Sequence, residues 1–271
     1  MRYLKSISQI SKVYQTQSSR PVLVMCNNLE HYVCKYNISY GSTANKLLRE
    51  YIGACFLKNW NLFVPDFEFV KISEDHIKNF PELQPRFFRT TCFGSKFNKY
   101  YKEVDKFLFS LDASDKKLFA NKYDYLKIAL FDLWMSNEDR NHNNFNLMLN
   151  IENKYEFIPI DQEMIFNTGN LDKGLFLLSD SESIINTPIT KRLFSKKELK
   201  DRIILTNIKE EYYLCIEKCN KSLNIILENI PDDWSVNIDY EKKLMQKHLF
   251  NPKWIKMAYS QFLFFIQSQI M

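Results

Sequence analysis

Three side chains between Phe131 and Phe166 are of the types that phosphoryl transfer needs. Asp139 is followed five residues later by Asn144, and Asp161 stands beyond a short apolar hairpin. In that chemistry one carboxylate accepts the proton of the attacking hydroxyl. An amide oxygen and a second carboxylate hold the magnesium that neutralises the phosphates. The lead-in LKIALFDLWMS reads as an amphipathic helix, and NEDRNHNN is a polar cluster without Gly or Pro. FNLMLN and YEFIPI then read as short strands around the turn-like IENK. The same residues also suit a polar surface loop between a helix and a hairpin, since Asn and Asp favour caps and turns.

The Asp-to-Asn spacing equals that of the protein-kinase catalytic loop. The pieces DLWMSNEDRNHNNFNLML and FIPIDQEMIF resemble the core motifs of HipA-like kinases, and most nearly the short HipA-like kinase domain. Its N-x-D-R-x-x-x-N loop is matched at Asn137, Asp139, Arg140 and Asn144, and its I-D-x-x-x-x-F segment at Ile160, Asp161 and Phe166. The resemblance implies Asp139 as catalytic base, Asn144 and Asp161 as metal ligands, and Arg140 as a residue that holds the loop. It covers most of residues 10–170 and is not carried by the last hundred.

Elsewhere the chain supplies the expected supports. Residues 1–40 read as strands, with a hairpin turn at Asn27-Asn28. Thr16 to Arg20 forms a small polar turn where a phosphate-covering loop would lie. It resembles the family's G-x-S-S segment through Ser18 and Ser19, although Gln17 replaces a glycine. A simple hairpin tip is the other reading. Lys35 lies on the third strand, and the following loop leads to a helix carrying Arg49-Glu50-Tyr51. A strand Lys paired with a helix Glu fixes the α- and β-phosphates in kinases. Each residue alone would also suit a solvated surface.

Leu62–Ile72 reads as two short strands, and 74–98 as an irregular stretch where one lobe gives way to the next. FGSK at 93–96 resembles a family motif without an evident chemical role. From residue 99 on, helical periodicity dominates, with Asp112 to Asp115 as a turn. Residues 167–201 look polar and irregular and include Ser179, Ser181, Ser183 and Thr187, as an activation segment would. Asp232-Asp233 suits a cap or turn. The remainder reads as three or four amphipathic helices.

Composition narrows the field. Only 5 Gly in 271 residues, with no G-x-G-x-x-G and no G-x-x-x-x-G-K-[ST], argues against Rossmann and P-loop folds. The net charge of +5 arises from 37 basic and 32 acidic residues that are dispersed, so direct nucleic-acid binding is not expected. Cys26, Cys34, Cys55, Cys92, Cys215 and Cys219 form no CxxC pair and read as free thiols. The N-terminus lacks a signal-peptide core, and FLFFI at 262–266 is too short to span a bilayer. A cytoplasmic protein without membrane contact is expected.

The fold expected is α+β, a bilobal protein kinase-like unit. Its strand-rich N-lobe spans 1–75 and its helical C-lobe 76–271, with a catalytic loop at 137–144 and a metal-binding segment at 158–166. ATP and Mg2+ are the expected cofactors. Lys35, Glu50, Ser18 and Ser19 are expected to bind nucleotide, and Asn144 and Asp161 the metal. The expected activity transfers phosphate to a hydroxyl, foremost a protein Ser or Thr, with autophosphorylation and a toxin–antitoxin role implied by the resemblance. A small antitoxin would then be a partner. A small-molecule kinase, a pseudokinase or partner-binding module, and a metal hydrolase using Asp139, His142 and Asp161 stand as alternatives.

Overall fold

The computed structural model describes residues 3–15, 20–37, 44–104 and 113–271. It divides into two compact units, and chain order alone does not define them. The first comprises 1–52, 65–98 and 225–238, and the second 53–64, 99–224 and 239–271.

The first unit is built on a six-stranded sheet. Its strands are β1 (Tyr3–Lys5), β2 (Lys12–Val13), β3 (Val22–Met25), β4 (His31–Lys35), β5 (Phe67–Lys71) and β6 (Cys92–Lys96), in the spatial order β1-β5-β6-β4-β3-β2. Strand β1 runs parallel to β5, with Tyr3 opposite Phe69, and every other pairing is antiparallel. Alternation decides which side chains face inward. Val22 and Val24 on β3 and Tyr32 and Cys34 on β4 are buried, which leaves Lys35 on the opposite face. The β3–β4 turn falls at Asn27-Asn28 as expected, with Leu29 at φ 64 and Asn28 Oδ1 accepting the Glu30 N–H at 3.2 Å.

One sheet face carries a core of Leu4, Val22, Val24, Tyr32, Cys34 and Val70, joined by Ile77 and Phe88 from two short 3-10 turns at Glu74–Ile77 and Pro85–Phe88. The other face receives Tyr51, whose ring lies 5.3 Å from that of Phe69 and whose hydroxyl donates to the Ile226 carbonyl at 3.1 Å. Trp234 packs against Phe69 at 5.4 Å and donates its indole N–H to the Thr91 carbonyl at 2.7 Å. Asp233, in the 3-10 turn Asp232–Trp234, accepts from both the N–H and the hydroxyl of Thr91, so it ties distant parts of the unit together where a local cap or turn was expected.

Helix α1 (Ala44–Asn59) carries Glu50 and Tyr51 in the first unit. Its later turns belong to the second, where Phe56 and Trp60 stack on Trp134 at 5.8 and 5.7 Å. The second unit centres on α2 (Asp124–Met135), which is buried from Tyr125 through Met135. A helix buried on every side has no polar stripe, so the expected amphipathic reading of this segment is corrected. Helix α3 (Arg202–Glu228) reaches it through the Glu211–Lys127 ion pair, α4 (Ile238–Lys247) follows α3 in the chain, and α5 (Pro252–Ser268) packs along it. Trp134 and Trp254 cross-link the core: Trp134 donates to the Leu249 carbonyl at 3.1 Å, and Trp254 to that of Trp134 at 2.9 Å. A three-stranded antiparallel sheet of β7 (Tyr101–Glu103), β8 (Leu147–Asn150) and β9 (Glu156–Pro159) completes the unit.

Several local expectations change, each through long-range pairing. Tyr101–Glu103 is a strand against β8, with Lys102 opposite Leu149, where periodicity suggested helix. Within Leu62–Ile72 only Phe67–Lys71 is a strand. The stretch 74–98 contains β6, paired on both edges, so the strand-rich unit reaches Asn98 and the boundary expected at 75 does not coincide with it. Gly94 in FGSK has a packing reason. A Cβ there would meet Val70 Cγ2 at 2.6 Å and Cys34 Sγ at 3.2 Å. In 167–201, Ser183 and Thr187 are buried while Ser179 and Ser181 are exposed. All six cysteines are free thiols.

Candidate active site

The first unit contributes an ion pair. Lys35 Nζ lies 2.5 Å from Glu50 Oε1, with side-chain exposures of 15% and 6%. Strand alternation turns Lys35 away from the Cys34 side, and the second turn of α1 supplies Glu50. An ammonium held this way is a fixed positive charge able to meet phosphate oxygens. Ser18 and Ser19 lie outside the described residues.

The second unit contributes the loop after α2. Ser136 caps that helix in the left-handed region at φ 50 and turns the chain into Asn137–Asn144. Arg140 is completely buried. Its guanidinium donates to Asp132 on α2, to the Asn146 carbonyl at 3.2 Å, and to the Ile160 carbonyl at 2.8 Å. One side chain therefore fastens the helix, the start of β8 and the end of β9. Asp139 immediately precedes Arg140, and Asp161 follows its anchor Ile160. Asn137 adds to the clamp by donating its amide N–H to Asp132 Oδ1 at 2.9 Å.

Asp139 is half-buried. Its Oδ2 accepts from Asn144 Nδ2 at 3.0 Å and from Asn146 Nδ2 at 2.7 Å. Burial raises the carboxyl pKa, the two amide donors pull it down, and the negative charges of Asp161 and Glu163 push it up again; the net shift is upward. Because Asn144 spends its amide N–H on Asp139, its carbonyl oxygen is left as the atom suited to a cation. Asp161 adopts φ 58, an uncommon conformation for a residue with a side chain. A carboxylate oxygen of Asp161 lies within 4.8 Å of one of Glu163. A hard divalent cation takes oxygen ligands of this kind, so Asn144, Asp161 and their neighbour fit magnesium.

The structure thus pairs Lys35 with Glu50, and Asp139 with Asn144. Two polar neighbours escaped the sequence reading. Asn146 follows the loop as the first residue of an apolar run, and Glu163 sits in the second motif among residues that motif leaves unspecified. His142 is exposed, and its Nδ1 faces the Ser181 carbonyl at 3.4 Å.

A family model described as HipA-like kinase matches residues 7–262. The chain belongs to the HipA-like kinase family. The match extends through the C-terminal helices, which corrects the expectation that the resemblance fades after residue 170. No curated protein sequence matches the chain. Among solved structures it is similar to the Helicobacter pylori proinflammatory kinase CtkA, with a TM-score of 0.54 and 12% identity over 99% of this chain and 98% of that one. It is also similar to a Golgi casein kinase, with a TM-score of 0.45 and 13% identity over 98% of this chain and 75% of that one. At such identity the likeness to CtkA shows the fold alone. That fold is α+β and bilobal protein kinase-like, with a strand-rich N-terminal part and a helical C-terminal part. No described helix is long and apolar enough to cross a membrane. The buried Arg140 directly follows Asp139 in the loop.

Proposed function

We propose that this HipA-like kinase transfers the γ-phosphate of ATP to the hydroxyl of a protein Ser or Thr, with Asp139 as the base. The observation that carries the reading is Asp139 itself. It is a half-buried carboxylate oriented by two amide donors, in a loop fastened by a fully buried arginine. Asp139 would take the proton of the attacking hydroxyl as the oxygen begins to bond to phosphorus. Asn144 and Asp161 would hold magnesium, which supplies charge neutralisation at the phosphates. Lys35, kept in place by Glu50, would steady the α- and β-phosphates. The complete set disfavours the pseudokinase alternative. A toxin role is implied by the family resemblance, and a short helix-turn-helix reading frame beside the gene is expected if it holds.

The protein is expected to phosphorylate itself at Ser18 or Ser19, in the segment expected to cover the phosphates. A phosphate there carries about −1.5 to −2 charge at neutral pH and would repel ATP, switching the enzyme off. Peptide mapping after incubation with Mg-ATP, with Asp139→Asn as the blank, tests this. Phosphate confined to the exposed Ser179 and Ser181, or none in active enzyme, would contradict it.

A further inference from the structure

We propose that Glu163 is a third oxygen ligand of the divalent cation, beside Asn144 and Asp161. The assignment rests on the phosphotransfer reading of the same site and adds a residue that the family's I-D-x-x-x-x-F motif leaves unspecified.

The backbone explains how the side chain is aimed. Up to Ile160 the chain is held on both sides, since its N–H donates to the Asn146 carbonyl at 2.9 Å and its carbonyl accepts from Arg140 at 2.8 Å. Asp161 then turns at φ 58. Gln162 packs against Gly53 of α1 so closely that a Cβ at 53 would lie 2.6 Å from Gln162 Cβ and 2.7 Å from its Cγ. Gln162 is committed there, and carboxylate oxygens of Asp161 and Glu163 lie within 4.8 Å of each other. Glu163 is 4% exposed, and the buried Ile165 and Phe166 fix the chain just beyond it.

Two carboxylates held this close repel each other, and the repulsion grows as water is excluded. A divalent cation between them reverses the sign of the interaction. Magnesium binds oxygens at about 2.0–2.1 Å, so two ligands on one ion sit roughly 3–4 Å apart. Small side-chain rotations bring a pair within 4.8 Å to that spacing. Asp139 feels the negative charge of both residues, which places Glu163 in the same electrostatic neighbourhood as the proposed base. With two charged ligands and an amide oxygen, this site would hold a divalent cation before nucleotide arrives.

The test is Mn2+ binding to the nucleotide-free protein, followed by electron paramagnetic resonance, in wild type, Glu163→Gln, Glu163→Asp and Asp161→Asn. Melting temperatures without metal are recorded for each. Glu163→Gln is expected to weaken Mn2+ at least about tenfold, the scale of loss when a metal site is disturbed. Glu163→Asp, which keeps the charge, should recover part of that affinity. Wild-type Mn2+ affinity in Glu163→Gln, with a lost response in Asp161→Asn, would overturn the role of Glu163 and leave the phosphotransfer reading standing. Wild-type affinity in both variants would remove the metal reading as a whole. A drop in metal-free melting temperature without a change in Mn2+ affinity would make Glu163 a structural residue and also overturn the proposal.

Discussion

Asp139 owes its position to two amides, and only one of them is in the family motif. Asn144 is the expected partner, whereas Asn146, at the shorter distance of 2.7 Å, had no signal beyond its polar type at the mouth of an apolar run. Both donors favour the charged carboxylate, against burial and against the nearby Asp161 and Glu163, and burial prevails. A base works only when ionised, so activity falls as pH drops through this raised pKa. The acid limb of ATP turnover should therefore lie above that of an ordinary aspartate. Asn146→Ala removes one donor to the charged form and should move that limb further up. A limb unchanged or shifted down in Asn146→Ala, measured as kcat/KM against pH, would show that Asn146 does not tune the base.

At the level of elements, the loop is held from beneath by the Arg140–Asp132 pair. Both partners are buried, and burial raises the Asp132 pKa while Arg140 and Asn137 lower it, leaving a net upward shift. Removing one partner of a buried pair leaves the other charge without compensation, at a cost of about 3–5 kcal/mol. Asp132→Asn is expected to lose stability on that scale in urea denaturation and to cost activity by loosening Asp139. A loss below about 1 kcal/mol would mean that water reaches the guanidinium. The sequence offered little sign of this clamp. Asp132 falls, with Asp124 and Lys127, in a helix whose pattern reads as amphipathic, because periodicity cannot distinguish a half-exposed helix from a fully buried one. Tyr101–Glu103 shows the same limit for strands: three residues acquire their conformation from β8, nearly fifty positions away, and not from their neighbours. The alternation in β3 and β4 was legible because local pattern and burial agree there.

For the whole molecule, the family match over residues 7–262 and the CtkA-like fold agree with the class read from short motifs in a chain with few glycines. Those motifs were legible because their chemistry needs particular side chains at fixed spacing. The extent of the strand-rich unit was not, since 225–238 joins it from far along the chain through Trp234 and Asp233. The central claim is that Asp139 acts as the base of a phosphotransferase. Its most direct test measures phosphate transfer and Mg-ATP affinity together in wild type and Asp139→Asn. A base acts on the incoming hydroxyl, not on ground-state ATP, so transfer should fall by about 10²- to 10⁴-fold while calorimetric affinity for Mg-ATP stays close to wild type. Near-normal transfer by Asp139→Asn, or no transfer by the wild type in saturating Mg-ATP, would contradict the account.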